Sequence, residues 1–187
     1  MWNKLVLFLI FAIPVLAGND RLVPADVLGT VLDVVRSDWN GDGVLDRAVL
    51  WQPQRSSDLA NLFVFLSAKN GKPRIFTAAG VAWSRFGGQE AWLEPDPRGF
   101  SVLSGGSAEN TRWQEGLAII FDAAGPRVAG YSYHSYAAAE NEKDFVCTAD
   151  YVAGRGSRNG AEFAIVGGAP LLNEWSYRRI PVPCRAR

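Results

Sequence analysis

Short runs of β-branched and aromatic residues, separated by turn-forming residues, restrict the fold of this chain more than any other feature. Clusters of Gly, Pro, Asn and Ser bound these runs, which lie at residues 48–51, 62–66, 74–77, 100–103, 117–121, 128–133 and 163–166. Several short strands with turn signals between them are typical of antiparallel sandwiches and barrels. We therefore expect a mostly β protein, with a single antiparallel β-sandwich or barrel-like domain.

Turn residues predict where consecutive strands pair. Asn70-Gly71 and Ala124-Gly125-Pro126 stand where hairpin turns are expected. The second turn predicts that residues 113–121 pair with residues 127–136. Residues 24–35 fit either a short helix or a first strand. Because no repeat or domain boundary is visible, residues 18–187 are expected to form one β-rich domain.

The N-terminus has the pattern of a targeting segment. Lys4 precedes thirteen apolar residues, 5–17, a run shorter than the roughly 20 residues that span a bilayer and typical of a signal peptide. We predict a signal peptide at residues 1–17, cut after Ala17; a buried core helix is the alternative. Asn19 stands where a lipoprotein would need Cys, so we expect a periplasmic or secreted protein without a membrane anchor after cleavage.

Charge and cysteine content further narrow the class of protein to which this chain can belong. The 19 Lys and Arg residues balance 19 Asp and Glu residues, and this lack of a basic excess argues against a nucleic-acid partner. In an oxidising compartment the pair Cys147 and Cys184 predicts one disulfide; two free thiols are the alternative. No C-x-x-C spacing is present, which excludes thioredoxin-type chemistry.

Residues 38–46 form the strongest local motif. Side-chain oxygens stand at loop positions 1, 3, 5 and 9, Gly43 stands at position 6 and the Val44 carbonyl at position 7. Calcium prefers six to eight oxygen ligands, which a tight acidic loop supplies, and the carboxylates would repel one another without a cation. The predicted ligands are Asp38, Asn40, Asp42, Val44 and Asp46. An Asx-rich turn without an ion is the alternative.

The loop differs from an EF-hand, because position 12 is Val49 rather than Glu and an apolar strand follows directly. The pattern D-x-N-x-D-G-x-x-D before a short strand resembles the calcium loop of FG-GAP and VCBS-type repeats, found in integrin-like propellers and many exported bacterial proteins. This resemblance covers residues 34–50 and implies the same ligands. It does not imply a propeller, which needs several blades.

The order of features along the whole chain resembles a group of exported proteobacterial proteins. The shared features are a signal peptide, this acidic loop, a Trp-rich middle, a Val-Ala-Gly-Tyr-Ser-Tyr strand and a late Cys. This resemblance implies export but no particular activity.

Catalytic candidates are weaker. His134 is the only histidine, and the sequence contains no G-x-S-x-G motif that would supply a nucleophilic serine for a catalytic triad. We therefore expect His134 to be a surface or cross-strand histidine. One His and two paired Cys also exclude the usual zinc sets. The segment 154–160 is expected to be a flexible turn rather than a phosphate loop, since it lacks the P-loop lysine.

Two groups of residues in the Trp-rich middle are candidate site residues. The carboxylates show no spacing typical of a glycosidase pair and are expected to be solvated: Glu90, Glu94, Glu109 and Glu115. Three tryptophans are candidates for stacking on a sugar or a partner, although at least two of them are expected to belong to the core. They are Trp83, Trp92 and Trp113.

These patterns favour a non-catalytic, calcium-stabilised exported module that binds a partner protein, a glycan or an envelope component. The alternative is an envelope hydrolase that uses carboxylates of the Trp-rich middle. No catalytic constellation supports the alternative, so an enzyme is the less favoured prediction. The sequence leaves the identity of the ligand and the oligomeric state open.

Overall fold

A computed structural model describes residues 29–53, 58–84, 89–108, 111–137 and 144–185. The predicted signal peptide at residues 1–17, its cut after Ala17, and Glu109 lie outside these ranges. The described residues form eleven β-strands: β1 Gly29–Ser37, β2 Asp46–Pro53, β3 Leu59–Leu66, β4 Arg74–Trp83, β5 Glu90–Asp96, β6 Gly99–Ala108, β7 Thr111–Asp122, β8 Gly125–Ala137, β9 Phe145–Asp150, β10 Arg155–Arg158 and β11 Ala161–Ala164. Three single-turn 3-10 segments follow in the C-terminal tail: Leu172–Glu174, Tyr177–Arg179 and Val182–Cys184.

The strands form two antiparallel sheets. The smaller sheet has the order β1-β2-β3-β4, and the larger has the order β11-β10-β9-β8-β7-β6-β5. Within each sheet, therefore, strands that are consecutive in the chain lie side by side, and the chain passes from one sheet to the other between β4 and β5. The predicted mostly β, antiparallel architecture is confirmed, and it is a two-sheet sandwich because the described strands do not close into a barrel.

Burial alternates along the strands, which shows how the sheets cover their inner faces. In β3 every second residue is buried, including Leu62 and Val64, as the two-residue period of a strand requires. The larger sheet contributes Phe100, Val102 and Ile119 to the same hydrophobic cluster. The core therefore lies between the two sheets.

Polar and aromatic contacts also join the sheets. The Asp33 carboxylate on β1 accepts a hydrogen bond of 2.8 Å from the Leu93 N–H on β5. The Trp39 ring stacks on Phe121, with centroids 4.7 Å apart and ring planes at 6°. The Trp39 indole N–H donates to the Gly99 carbonyl at 3.3 Å. The segment after β1 is thus anchored on the larger sheet.

Most strand predictions agree with the structure. The hairpin predicted around Ala124-Gly125-Pro126 is the β7–β8 pair, in which Trp113 faces Ser135. Within residues 24–35 the described part, from Gly29, is a strand. The prediction of a flexible turn at 154–160 is wrong for Arg155–Arg158, which form β10. Within this segment the turn residues are Gly154, before the strand, and Asn159 and Gly160, after it, all three with positive φ.

Candidate ligand-binding site

A row of directly paired residues crosses the inner face of the larger sheet. Glu115 on β7 lies opposite Ser104 on β6 and Tyr133 on β8. Tyr133 in turn lies opposite Cys147 on β9. Leu117 and Ile119 occupy the same face of β7 and belong to the core. The row thus places a carboxyl where the neighbouring rows carry apolar side chains.

A cavity of about 460 Å³ lies over this row. Trp83 from β4 and Trp113 from β7 form part of its wall, and Tyr177 and Ile180 from the C-terminal tail form another part. The Trp113 and Tyr133 rings are nearly parallel, with centroids 6.4 Å apart. The Trp83 and Tyr177 centroids lie 6.2 Å apart. The cavity is therefore bounded largely by aromatic rings.

Glu115 is the buried acid of this cavity, with only 5% of its surface exposed. The Tyr177 hydroxyl donates a hydrogen bond of 2.8 Å to Glu115 Oε2, and Tyr131 also hydrogen-bonds the carboxyl. Both bonds favour the ionised form. Burial outweighs them and raises the pKa of Glu115 to about 7 from its ordinary value of 4.5. Both protonation states are therefore accessible near neutral pH.

The same environment keeps the surrounding tyrosines protonated. Burial, together with the nearby Glu115 carboxyl, raises the pKa of Tyr131 and Tyr177 well above the ordinary value. The pKa of Tyr133 is raised for the same two reasons. Tyr131 and Tyr177 consequently keep the protons with which they hydrogen-bond Glu115.

The C-terminal tail supplies one wall of the cavity and is attached covalently. The Cys147 and Cys184 sulfur atoms lie 2.10 Å apart, which agrees with the predicted disulfide. The Tyr151 hydroxyl donates to the Arg179 carbonyl at 3.2 Å, and Arg185 Nε donates to the Ile180 carbonyl at 3.1 Å. These attachments hold Tyr177 and Ile180 against the larger sheet.

The acidic loop at residues 38–46 is closed by hydrogen bonds to its own backbone. Asp38 accepts from the Asp42 and Gly43 N–H groups at 3.1 and 2.8 Å. Asn40 Oδ1 accepts from the Asp42 N–H at 3.0 Å, and Asp42 Oδ1 accepts from the Val44 N–H at 2.8 Å. Gly43 has φ +81°, as the predicted sharp turn requires.

Asp46 joins this loop to the end of β3. Its side chain is fully buried and accepts from the Trp39 N–H at 2.9 Å and from the Ser67 N–H at 2.7 Å. Burial raises the pKa of Asp46, although the backbone hydrogen bonds act in the opposite direction. The Lys69 N–H donates to Asp42 Oδ2 at 2.9 Å. The loop and the β3–β4 connection therefore form one hydrogen-bonded unit.

The predicted calcium ligands have the right chemistry but do not converge in this arrangement. Within the described ranges, no three or more Asp, Glu, His or Cys side chains lie close enough together to hold one metal ion. The side-chain oxygens of Asp38, Asn40, Asp42 and Asp46 each accept a backbone N–H. The calcium site therefore stays a prediction.

The other sequence candidates lie elsewhere. His134 pairs with Gln114 and Val146, and its ring packs against that of Tyr136 with centroids 3.7 Å apart and planes tilted by 35°, which agrees with a cross-strand histidine. Glu90 and Glu94 are exposed as expected. The expectation that Glu115 is solvated is wrong, because the alternation of β7 turns it inward together with Leu117 and Ile119.

The expectation that at least two of three tryptophans belong to the core is also wrong. Trp83 is 38% exposed, and Trp92 and Trp113 are half-buried. Trp83 and Trp113 instead line the cavity. Their exposed ring surface is available to a bound molecule.

Sequence reasoning missed the combination of Glu115 with Tyr131, Tyr133 and Tyr177. One signal was available: Trp113, Glu115, Leu117 and Ile119 alternate on one face of a strand. That period predicts that the Glu115 side chain points inward. The contribution of Tyr177 has no comparable signal, because it comes from the tail.

Comparisons with known proteins add no further identification. The chain matches no protein family, and no curated protein or solved structure is significantly similar to it. None of the helical segments in the described ranges is long and apolar enough to cross a bilayer.

Proposed function

We propose that this protein is an exported, non-catalytic binding module whose ligand occupies the aromatic cavity over Glu115. The observation that carries the proposal is a carboxyl that is 5% exposed at a cavity bounded by aromatic rings. Small-molecule sites are typically concave and apolar, with a few polar groups that orient the ligand. The volume of about 460 Å³ falls within the range of roughly 300–1,000 Å³ common for such sites.

The aromatic walls suit a small organic molecule or a glycan unit of the cell envelope. Trp and Tyr rings offer flat apolar surface together with polar edges. Trp83, at 38% exposure, lies at the accessible side of the cavity. Stacking on Trp83 and Trp113 would supply contact area, while Glu115 and the tyrosine hydroxyls would orient polar groups.

This proposal is tested by incubating the protein with envelope extract and identifying small molecules that stay bound. The variant Trp113→Ala removes one cavity wall, and Glu94→Gln, on an exposed position of β5, is the matched control. We expect a compound that is retained by the wild type and Glu94→Gln and lost from Trp113→Ala. Equal retention by all three proteins would contradict the cavity as the binding site.

We also propose that calcium binds residues 38–46 and stabilises the fold. Support comes from the spacing of Asp38, Asn40, Asp42 and Asp46 and from the oxygen chemistry that calcium prefers. Melting is measured in millimolar calcium and in chelator, for the wild type, Asp42→Ala and the control Asp96→Ala. Calcium should raise the melting temperature of the wild type and the control but not of Asp42→Ala. An identical melt in both solutions would rule out the ion.

Export is a third part of the proposal and rests on the sequence of residues 1–17. Mass spectrometry of the protein recovered from the periplasm or medium should find Gly18 at its N-terminus. Recovery of an uncut chain in the cytoplasm would contradict export.

An envelope hydrolase remains the alternative function, and one observation favours it. A carboxyl whose pKa is raised to about 7 has the property of a general acid. Glycoside hydrolysis normally needs a second carboxylate, and among the described residues that line the cavity Glu115 is the only one. Turnover of envelope polysaccharide that is abolished in Glu115→Gln would establish this alternative.

A further inference from the structure

The buried carboxyl of Glu115 forms no ion pair with the described residues. The Arg185 guanidinium lines the same cavity but donates to the Ile180 and Arg178 carbonyls. Ion pairs in those ranges join Arg127 with Asp122 and Arg179 with Glu174, and Glu115 is bonded to tyrosine hydroxyls instead. A carboxylate taken out of water without a counter-charge is costly. A ligand that brings a positive charge would remove that cost.

The aromatic rings around Glu115 supply a second attraction for a cation. An ammonium group is attracted to the face of a Trp or Tyr ring, and cages of several rings are a recurrent way to bind quaternary ammonium groups. The rings of Trp113 and Tyr133 form one aromatic pair on the larger sheet. The rings of Trp83 and Tyr177 form a second pair. Both pairs line the cavity that contains Glu115.

We propose that the cavity binds a small organic cation whose ammonium group lies beside Glu115 and between these aromatic rings. This inference rests on the proposed function, because it names the chemical class of the ligand of the same cavity. Buried negative charge and aromatic faces both favour a cation over a neutral molecule of equal size. An uncharged glycan, which has no positive charge to place beside Glu115, is the competing outcome of the test.

Binding of a cation should depend on pH through Glu115. The other titratable groups that face the cavity are Tyr131 and Tyr133 on β8, Tyr177 in the tail and Arg185 at its end. The pKa of each tyrosine is raised, and the Arg185 guanidinium donates to the Ile180 and Arg178 carbonyls. Among the described groups that line the cavity, Glu115 is thus the one whose pKa lies near neutral, so the affinity for the cation should increase as pH rises through that range.

The test compares choline with its uncharged carbon analogue, in which a tert-butyl group replaces the trimethylammonium group. Calorimetric titration uses the folded, disulfide-bonded protein and the variants Glu115→Gln and Glu94→Gln. We expect millimolar or tighter binding of choline and at least tenfold weaker binding of the analogue. Glu115→Gln should lose at least tenfold in affinity for choline, whereas Glu94→Gln should behave like the wild type.

The outcomes separate this inference from the proposed function. If the analogue or a monosaccharide binds as well as choline, the cation inference is overturned and the cavity remains a binding site. If no cation binds at millimolar concentration, the inference is overturned, and the extract experiment decides the proposed function independently. If Glu115→Gln does not fold, the preference of the wild type for choline over its uncharged analogue still tests whether the cavity prefers a cation. Tyr177→Phe, which keeps the carboxyl, should retain that preference.

Discussion

The Tyr177 hydroxyl donates a 2.8 Å hydrogen bond to Glu115 Oε2 across 62 residues of sequence. This bond joins the C-terminal tail to β7, an interior strand of the larger sheet. It also couples the position of the tail to the protonation of a buried carboxyl. The first prediction concerns this coupling.

The stability of the fold should decrease with pH between about 4.5 and 7 because of Glu115. The folded-state pKa of about 7 lies above the ordinary value of 4.5, so the folded protein binds the proton more tightly than the unfolded chain. The resulting contribution to the free energy of unfolding is fully present below pH 4.5 and is lost as pH rises through about 7. It amounts to on the order of 3 kcal/mol. Urea unfolding across this pH range measures it.

Two variants check the assignment to Glu115. Glu115→Gln cannot ionise, so its free energy of unfolding should lack this decrease and exceed that of the wild type above neutral pH. Tyr177→Phe removes a donor that favours the carboxylate, so the pKa of Glu115 should rise and the decrease should extend to higher pH. A Glu115→Gln profile parallel to the wild type would contradict the assignment.

Removing the disulfide should weaken both the fold and the cavity. The double variant Cys147→Ser, Cys184→Ser loses a cross-link between residues separated by 37 positions, which in the chain-entropy model is worth about 4 kcal/mol. Melting curves measure the loss. Since Tyr177 and Ile180 lie in the linked tail, ligand binding should decrease as well. Unchanged binding at a temperature where the variant is folded would show that other contacts hold the tail.

Asp46 should be essential for stability even without calcium. Asp46→Ala leaves the Trp39 and Ser67 N–H groups without their acceptor in a buried position, which should cost on the order of 2–4 kcal/mol. Asp46→Asn keeps one carbonyl oxygen and should lose about half of that amount. Denaturation in chelator separates this effect from metal binding. The neighbouring control Leu45→Ala, at a side chain 57% exposed, should be nearly neutral.

Trp39 should stabilise the contact between the two sheets. Trp39→Ala removes the stacked ring on Phe121 and the hydrogen bond to Gly99, and should cost about 2–3 kcal/mol. Trp39→Phe keeps part of the stacking and should lose less. Chemical denaturation measures both variants against Val166→Ala, a control at an exposed position. Equal stabilities of Trp39→Ala and that control would place the sheet contact elsewhere.

Much of the sandwich was predictable because its signals are local. The apolar run at residues 62–66 that predicts β3 and the Gly-Pro turn between β7 and β8 are both formed by neighbouring residues. The short strand β10 was not predicted, because its residues Arg155 to Arg158 are polar and look like a loop. Its turn does carry a known signal, since Asn-Gly favours the positive φ values found at Asn159 and Gly160.

The ligand site was only partly predictable, because it depends on contacts far apart in sequence. The alternation around Glu115 predicts its inward orientation. Nothing in the sequence predicts that Tyr177 reaches that carboxyl or that Trp83 crosses from the other sheet. At residues 38–46 the same acidic pattern fits both an ion site and a turn closed by backbone N–H groups, so chemistry alone does not separate them.

The covalent attachment of the tail links the cavity to the redox state of the protein. All eleven described strands precede the tail in the chain, so neither sheet contains Tyr177 or Ile180. The Cys147–Cys184 bond cross-links the segment that carries these two residues to β9. Ligand affinity should therefore be higher in the oxidised protein than in the reduced one.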